Sequence, residues 1–151
     1  MRRLLFCLLL LFAAAAQSPL SAQSGLNISP LFDGDIIPQE RMVETRVRGK
    51  SIEKYRLTYY RSLRMDISDE ENAQIMALID KDKEQCHYHS AYRKNPHSAK
   101  TYTCKLQLAK SGDKNRFLCY QSMSKKDIYE VTVIYMEGTV GSLEELEELL
   151  K

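Results

Sequence analysis

Residues 101–137 read TYTCKLQLAKSGDKNRFLCYQSMSKKDIYEVTVIYME, and the fold class turns on them. Three runs rich in Thr, Tyr, Val and Ile are separated by two turn-forming clusters, SGDKN at 111–115 and SKKD at 124–127. That spacing is the signature of a β-meander, with strands expected at 101–109, 116–123 and 128–137. The last run, IYEVTVIYME, is the most hydrophobic and is expected to be central.

Downstream, Gly138 and Gly141 end the strand, and Ser142-Leu143-Glu144-Glu145 reads as a capping box. The helix it opens turns Leu143, Leu146, Leu149 and Leu150 inward. Upstream, Ser68-Asp69-Glu70-Glu71 is a second capping box, before a helix with Ile75, Met76, Leu78 and Ile79 on its apolar face and an end near Glu84. Earlier still, MVETRVR (42–48) and YRLTYYRSLRM (55–65) alternate with the period of half-buried strands, with Gly49-Lys50 a turn candidate. Ile52, Tyr55, Tyr59 and Leu63 also recur at helical spacing, but the Thr and Tyr content favours strand. Arg61 falls on the apolar parity of its run, so a bulge or a paired arginine is expected there. The expected fold is α+β: a single sheet of about five mainly antiparallel strands, with two helices packed on one face, over residues 41–151. Residues 23–40, with Pro30, Gly34 and Pro38, read as an extended or loosely docked arm. Asn27-Ile28-Ser29 matches a glycosylation acceptor, a pattern common by chance.

The amino terminus has a different character. Arg2-Arg3 precede LLFCLLLLFAAAA (4–16) and a polar stretch to Gln23, the order of a secretory signal peptide. A 13-residue apolar run makes about 20 Å of helix, short of the roughly 30 Å hydrocarbon core. Cleavage after Ala22 is expected, with Ala16 the alternative. A signal peptide at 1–22 leaves a periplasmic or secreted product with no membrane span. Arg2 and Arg3 account for the whole surplus of 22 basic over 20 acidic residues. The remainder is neutral, which argues against a nucleic-acid partner.

With Cys7 removed, Cys86, Cys104 and Cys119 remain, and export makes disulfides permissible. A turn centred on Ser111-Gly112 sets Cys104 opposite Cys119, a candidate disulfide; the alternative is two buried thiols. A domain of this size needs neither disulfide nor metal to fold. Cys86, His87, His89 and His97 form the conspicuous cluster of metal-ligand types. On a strand, His87 and His89 share one side, and His97 joins them only if Asn95-Pro96 folds back. The plainer reading is a solvated strand edge or loop. No nucleophile elbow, phosphate loop or carboxylate pair outside the helix-start clusters is present, and no cofactor is expected.

Charge is segregated along the chain. Residues 41–64 carry eight Lys/Arg against Glu44 and Glu53, and residues 100–126 carry seven against Asp113. Acids collect at 66–84 and 144–148. If the basic strands share a sheet, its open face is expected to be positive, with Arg56, Arg64, Lys105 and Arg116 as binding residues and Tyr60, Tyr120 or Tyr129 among them. Such a face suits an envelope protein, an anionic glycan or a lipid headgroup. Lysines guarding strand edges would account for the same pattern. The reading is an exported, non-catalytic binding module, oligomeric state open. The alternative is a small metal-dependent or hydrolytic enzyme centred on Cys86-His87-Tyr88-His89.

Three strings occur in order: GKSIEKYRLTYYRSL (49–63), DKNRFLCYQ (113–121) and VTVIYMEGTVGSLEELEELL (131–150). Together they resemble a family of small exported proteins from gut Bacteroidales, catalogued as a domain of unknown function. The Asn115-Arg116-aromatic step and the Ile134–Gly138 string are the most specific parts, and the resemblance runs from Val43 to the end of the chain. It implies an envelope or secreted location and brings no active site.

Overall fold

The computed structural model describes residues 23–94 and 100–151. The signal peptide expected at 1–22 lies outside them, as do Asn95, Pro96 and His97. Helix α1 (Ser29–Asp33) and a short 3-10 turn (Gln39–Arg41) lead into β1 (Met42–Arg48), α2 (Lys50–Glu53) and β2 (Leu57–Ile67). Then come α3 (Asp69–Glu84), β3 (Tyr88–Lys94), β4 (Thr101–Ser111), β5 (Lys114–Lys125), β6 (Ile128–Gly138) and α4 (Leu143–Leu149). The strands form one antiparallel sheet in the order β1-β2-β6-β5-β4-β3. The α+β class and the central place of β6 agree with the sequence. The sheet has six strands rather than five, because the segment after Cys86 adds β3 as an edge.

Local chemistry explains these elements. Ser68 Oγ accepts the Glu71 N–H at 3.2 Å and Glu71 Oε2 accepts the Ser68 N–H at 2.9 Å, completing the expected box at α3. At α4, Ser142 Oγ accepts the Glu145 N–H, but the Glu145 carboxylate reaches the Gly141 N–H instead of that of Ser142. Gly112, at φ +61°, turns the β4–β5 hairpin so that Ser111 faces Lys114. Gly138 is demanded by close approach: a Cβ there would sit 2.2 Å from the Arg56 carbonyl oxygen.

The expectation of two helices on one face is corrected. Alternate residues of β2, β5 and β6 enter different cores. Leu63, Met65, Leu106, Leu118, Tyr120, Val131 and Val133 pack with Ile75 and Ile79 of α3. Phe117 and Met136 point the other way and pack with Leu143 and Leu146 of α4 and Ile52 of α2. A sheet apolar on both sides needs cover on both. The register of β2 also shifts between Leu57 and Tyr59, which moves Leu57 into the α4 core while Tyr59 joins the α3 core.

The segment at 23–40, expected to be extended or loosely docked, contributes Leu26, Ile28, Leu31, Phe32 and Ile37 to the larger core. Two buried charged side chains fasten it. Arg61, 5% exposed, donates from Nη1 to Gln23 Oε1 at 3.1 Å and from Nη2 to the Phe32 carbonyl at 2.7 Å. Its Nε donates to Glu44, and its guanidinium lies 5.1 Å from the Phe32 ring centroid. The parity break at Arg61 is therefore a paired arginine. Asp82, 2% exposed on α3, accepts the Asn27 and Ile28 N–H groups at 2.7 and 3.0 Å and Asn27 Nδ2 at 3.0 Å.

Asp82→Ala leaves two backbone N–H groups without an acceptor and is expected to cost about 3 kcal/mol in urea unfolding, with Asp82→Asn costing less. Acid acts through Glu71, whose carboxyl the Arg41 hydrogen bond and the Ser68 N–H hold down at about 2 against an ordinary 4.5. A depressed folded pKa gives stability that is complete above about 4.5 and lost as pH falls toward about 2. Glu71→Gln is expected to flatten that part of the pH–stability curve; an unaltered slope would contradict the assignment.

Candidate functional site

Of the basic residues expected on one open face, Lys105 and Arg64 lie on the α4 side of the sheet and Arg116 on the other. Arg56 is paired with Glu145, Arg64 with Glu130 and Lys105 with Glu147. Arg116 Nε donates to the Ala109 carbonyl at 2.7 Å, and its neighbours in register are Leu108 and Glu137. Its parity on β5, shared with Leu118 and Tyr120, puts it on the α3 side, opposite Lys105. Tyr120 is buried in the α3 core and Tyr129 packs against it, so of the three candidate tyrosines only Tyr60 lies on the α4 side.

The open face is instead largely apolar. Helices α2 and α4, four and seven residues long, cover only one end of a sheet whose central strands run eleven or twelve residues. Beside them lies a groove of about 540 Å³, within the range of small-molecule sites. Val47, Ile52, Tyr55, Leu57, Ile134 and Met136 supply its apolar lining.

Register shows how the groove floor is graded. One row across the sheet is Gln107, Phe117, Met136, Tyr60 and Val47, at the end covered by the helices. The next is Ser90, Lys105, Cys119, Ile134 and Ser62. The third is Tyr92, Thr103, Gln121, Thr132 and Arg64. The floor thus runs from aromatic and aliphatic to hydroxyl and amide. Lys105 is the charged residue in the groove lining, Arg64 of the third row lying beyond it, and the Glu147 hydrogen bond holds the Lys105 pKa above the ordinary lysine value. Thr103 is 6% exposed, and its Oγ1 has no hydrogen-bond partner among the described residues.

Cys104 and Cys119 do not face each other. Cys104 pairs with Tyr120 and Lys105 with Cys119, because the turn falls on Gly112-Asp113 rather than Ser111-Gly112 and an irregularity between Leu108 and Ser111 then shifts the register by one residue. That slip sends Cys104 into the α3 core and Cys119 to the groove side, and both are free thiols. Burial pushes the Cys119 thiol up to about 12, with Lys105 opposing only in part, and burial raises Cys104 as well.

His87 and His89 are exposed near the β3 edge. Cys86 Sγ lies 3.9 Å from His89 Nδ1 and donates to the Lys83 carbonyl at 3.0 Å. Among the described residues no three His, Cys, Asp or Glu side chains gather as metal ligands. Burial raises the Cys86 thiol, the reverse of what activates a nucleophile. Sequence reasoning missed Thr103, Gln121 and Thr132. Thr103 shares the parity of Lys105 on β4, so alternation along that strand carried the signal.

A model described as a family of unknown function (DUF6108) matches residues 15–150. The chain belongs to that family. This agrees with the resemblance to a domain of unknown function. Neither the curated proteins nor the solved structures hold a significant match to it. No helix among the described residues of this DUF6108 chain is long and apolar enough to cross a membrane.

Thiol titration checks the hairpin register. The native protein at about pH 8 is expected to alkylate first at Cys86, more slowly at Cys119 in the groove, and at Cys104 only on unfolding. An intact Cys104–Cys119 bridge in peptide mass analysis would contradict it.

Proposed function

We propose that this DUF6108 protein is an exported, non-catalytic binding module whose ligand lies in the groove on the α4 side of the sheet. The carrying observation is the groove itself, an apolar concavity of about 540 Å³ left open because two short helices cannot cover six strands. Pockets of this size with few polar groups suit one small molecule with an apolar body. Export is supported by Arg2-Arg3 and the apolar run at 4–16, and by the resemblance to exported Bacteroidales proteins. A periplasmic or secreted location follows from that reading. Capture of a polyanion or an acidic envelope protein by the basic residues is the weaker reading. Arg56, Arg64 and Lys105 already have carboxylate partners, and Arg116 is tied to a backbone carbonyl.

An uncharged fluorescent probe such as phenylnaphthylamine tests the groove. Saturable enhancement at one probe per chain is expected. Ile134→Trp fills the middle of the floor and is expected to abolish it, whereas Val43→Trp, on the exposed edge strand, leaves it intact. Undiminished binding by an Ile134→Trp protein with unchanged thermal unfolding would refute the site.

A further inference from the structure

We propose that the groove takes a carboxylate amphiphile, its single acyl chain directed toward α2 and α4 and its carboxylate held by Lys105 and Thr103. This rests on the reading of the groove as a ligand site and assigns its chemistry and polarity.

Three observations carry it. The first is the gradient of the floor. The Phe117–Met136–Tyr60 row continues into the apolar core under α4, while the Thr103–Gln121–Thr132 row offers hydroxyls and an amide. From Thr132 to Met136 is four residues along β6, about 14 Å at roughly 3.4 Å per residue. That distance matches a medium-length chain lying along the strand with its two ends in different surroundings.

The second is the charge in the lining. A groove for a wholly apolar molecule has no use for a lysine in its floor, and one for a cationic amphiphile would carry an acid there. Lys105 occupies that position, and its partner Glu147 sits on α4, with 44% of its side chain exposed. A ligand carboxylate arriving along the floor can take the place of Glu147, which then returns to water at small cost.

The third is the hydroxyl of Thr103. It is buried, lines the same groove two residues from Lys105, and lacks a partner among the described residues. An unsatisfied buried hydroxyl is costly, and a step of about 120° in χ1 carries Oγ1 to another staggered position, from which it can meet a group in the groove. There it donates to one carboxylate oxygen while Lys105 Nζ donates to the other.

Calorimetric titration of the full mature chain with dodecanoate and dodecanol, both kept below micelle formation, tests the proposal. Dodecanoate is expected to bind about tenfold tighter than dodecanol, and Lys105→Met to remove that difference. Glu147→Gln, which frees Lys105 from its competitor, is expected to tighten dodecanoate severalfold and leave dodecanol unchanged. A purely structural role for the Lys105–Glu147 pair would not produce these opposite signs. Thr103→Val is expected to weaken dodecanoate without lowering the unfolding midpoint, since it removes an unpaired hydroxyl. Equal affinity for acid and alcohol, or a Lys105→Met protein that binds dodecanoate as well as the parent, overturns the head-group assignment. If phenylnaphthylamine saturates but neither chain binds, the assignment fails and the groove reading survives. If no apolar molecule binds at all, both fail.

Discussion

A guanidinium with almost no contact with water lies at the centre of this structure. Burying an unpaired charge is prohibitive, so every feature around Arg61 has to supply an acceptor or a face. Glu44 comes from the edge strand β1, the Phe32 carbonyl and Gln23 from the N-terminal segment, and the Phe32 ring covers one side. Glu44 itself is shared with Arg46. Burial works against its charge, but the two arginine hydrogen bonds outweigh that and hold its pKa low. The edge strand, the segment before α1 and the middle of β2 are thereby made to depend on one another. Asp82 does the same from the helix side, and between the two charges Leu26, Ile28, Leu31 and Phe32 have little freedom to lie elsewhere.

The two faces of the sheet meet different fates. One is sealed by α3 and the N-terminal segment into a continuous core. The other is sealed at one end and left open along the rest of its floor. The division follows from lengths: a sixteen-residue helix spans the strands it crosses, and a seven-residue helix does not. Polarity compensates along the open part, where Thr103, Lys105, Gln121 and Thr132 replace the Phe117 and Met136 of the covered part.

Much of this was legible in the chain. The capping box at Ser68, the meander at 101–137 and the alternation through Tyr59, Leu63 and Met65 act over a few residues, where periodicity and hydrogen-bond geometry suffice. Arg61 was legible as an anomaly but not as an answer, because its partners lie up to 38 residues away in the chain. The hairpin register was lost to a turn one residue later than expected and to one irregularity beside it, and period two converts that slip of one into a change of face. The side chosen by α4 was hidden for another reason: both parities of β5 and β6 are apolar, so neither face declared itself the inside. The pairing of charges was not legible, because a linear count does not show that Lys105, Arg56 and Arg64 each have a carboxylate within reach.

The strand order β1-β2-β6 has a consequence for the order in which the molecule can be completed. Leu63 lies against Val133, and Arg61 against Tyr135. During synthesis, β2 has no inner neighbour until β6, at Ile128–Gly138, has emerged. Until then the arginine in its middle stays in water and the early segment has little to grip. Pairings so distant along the chain close slowly. The two strands nearest the amino terminus thus gain their place in the full sheet only when the strand furthest from them in the chain arrives.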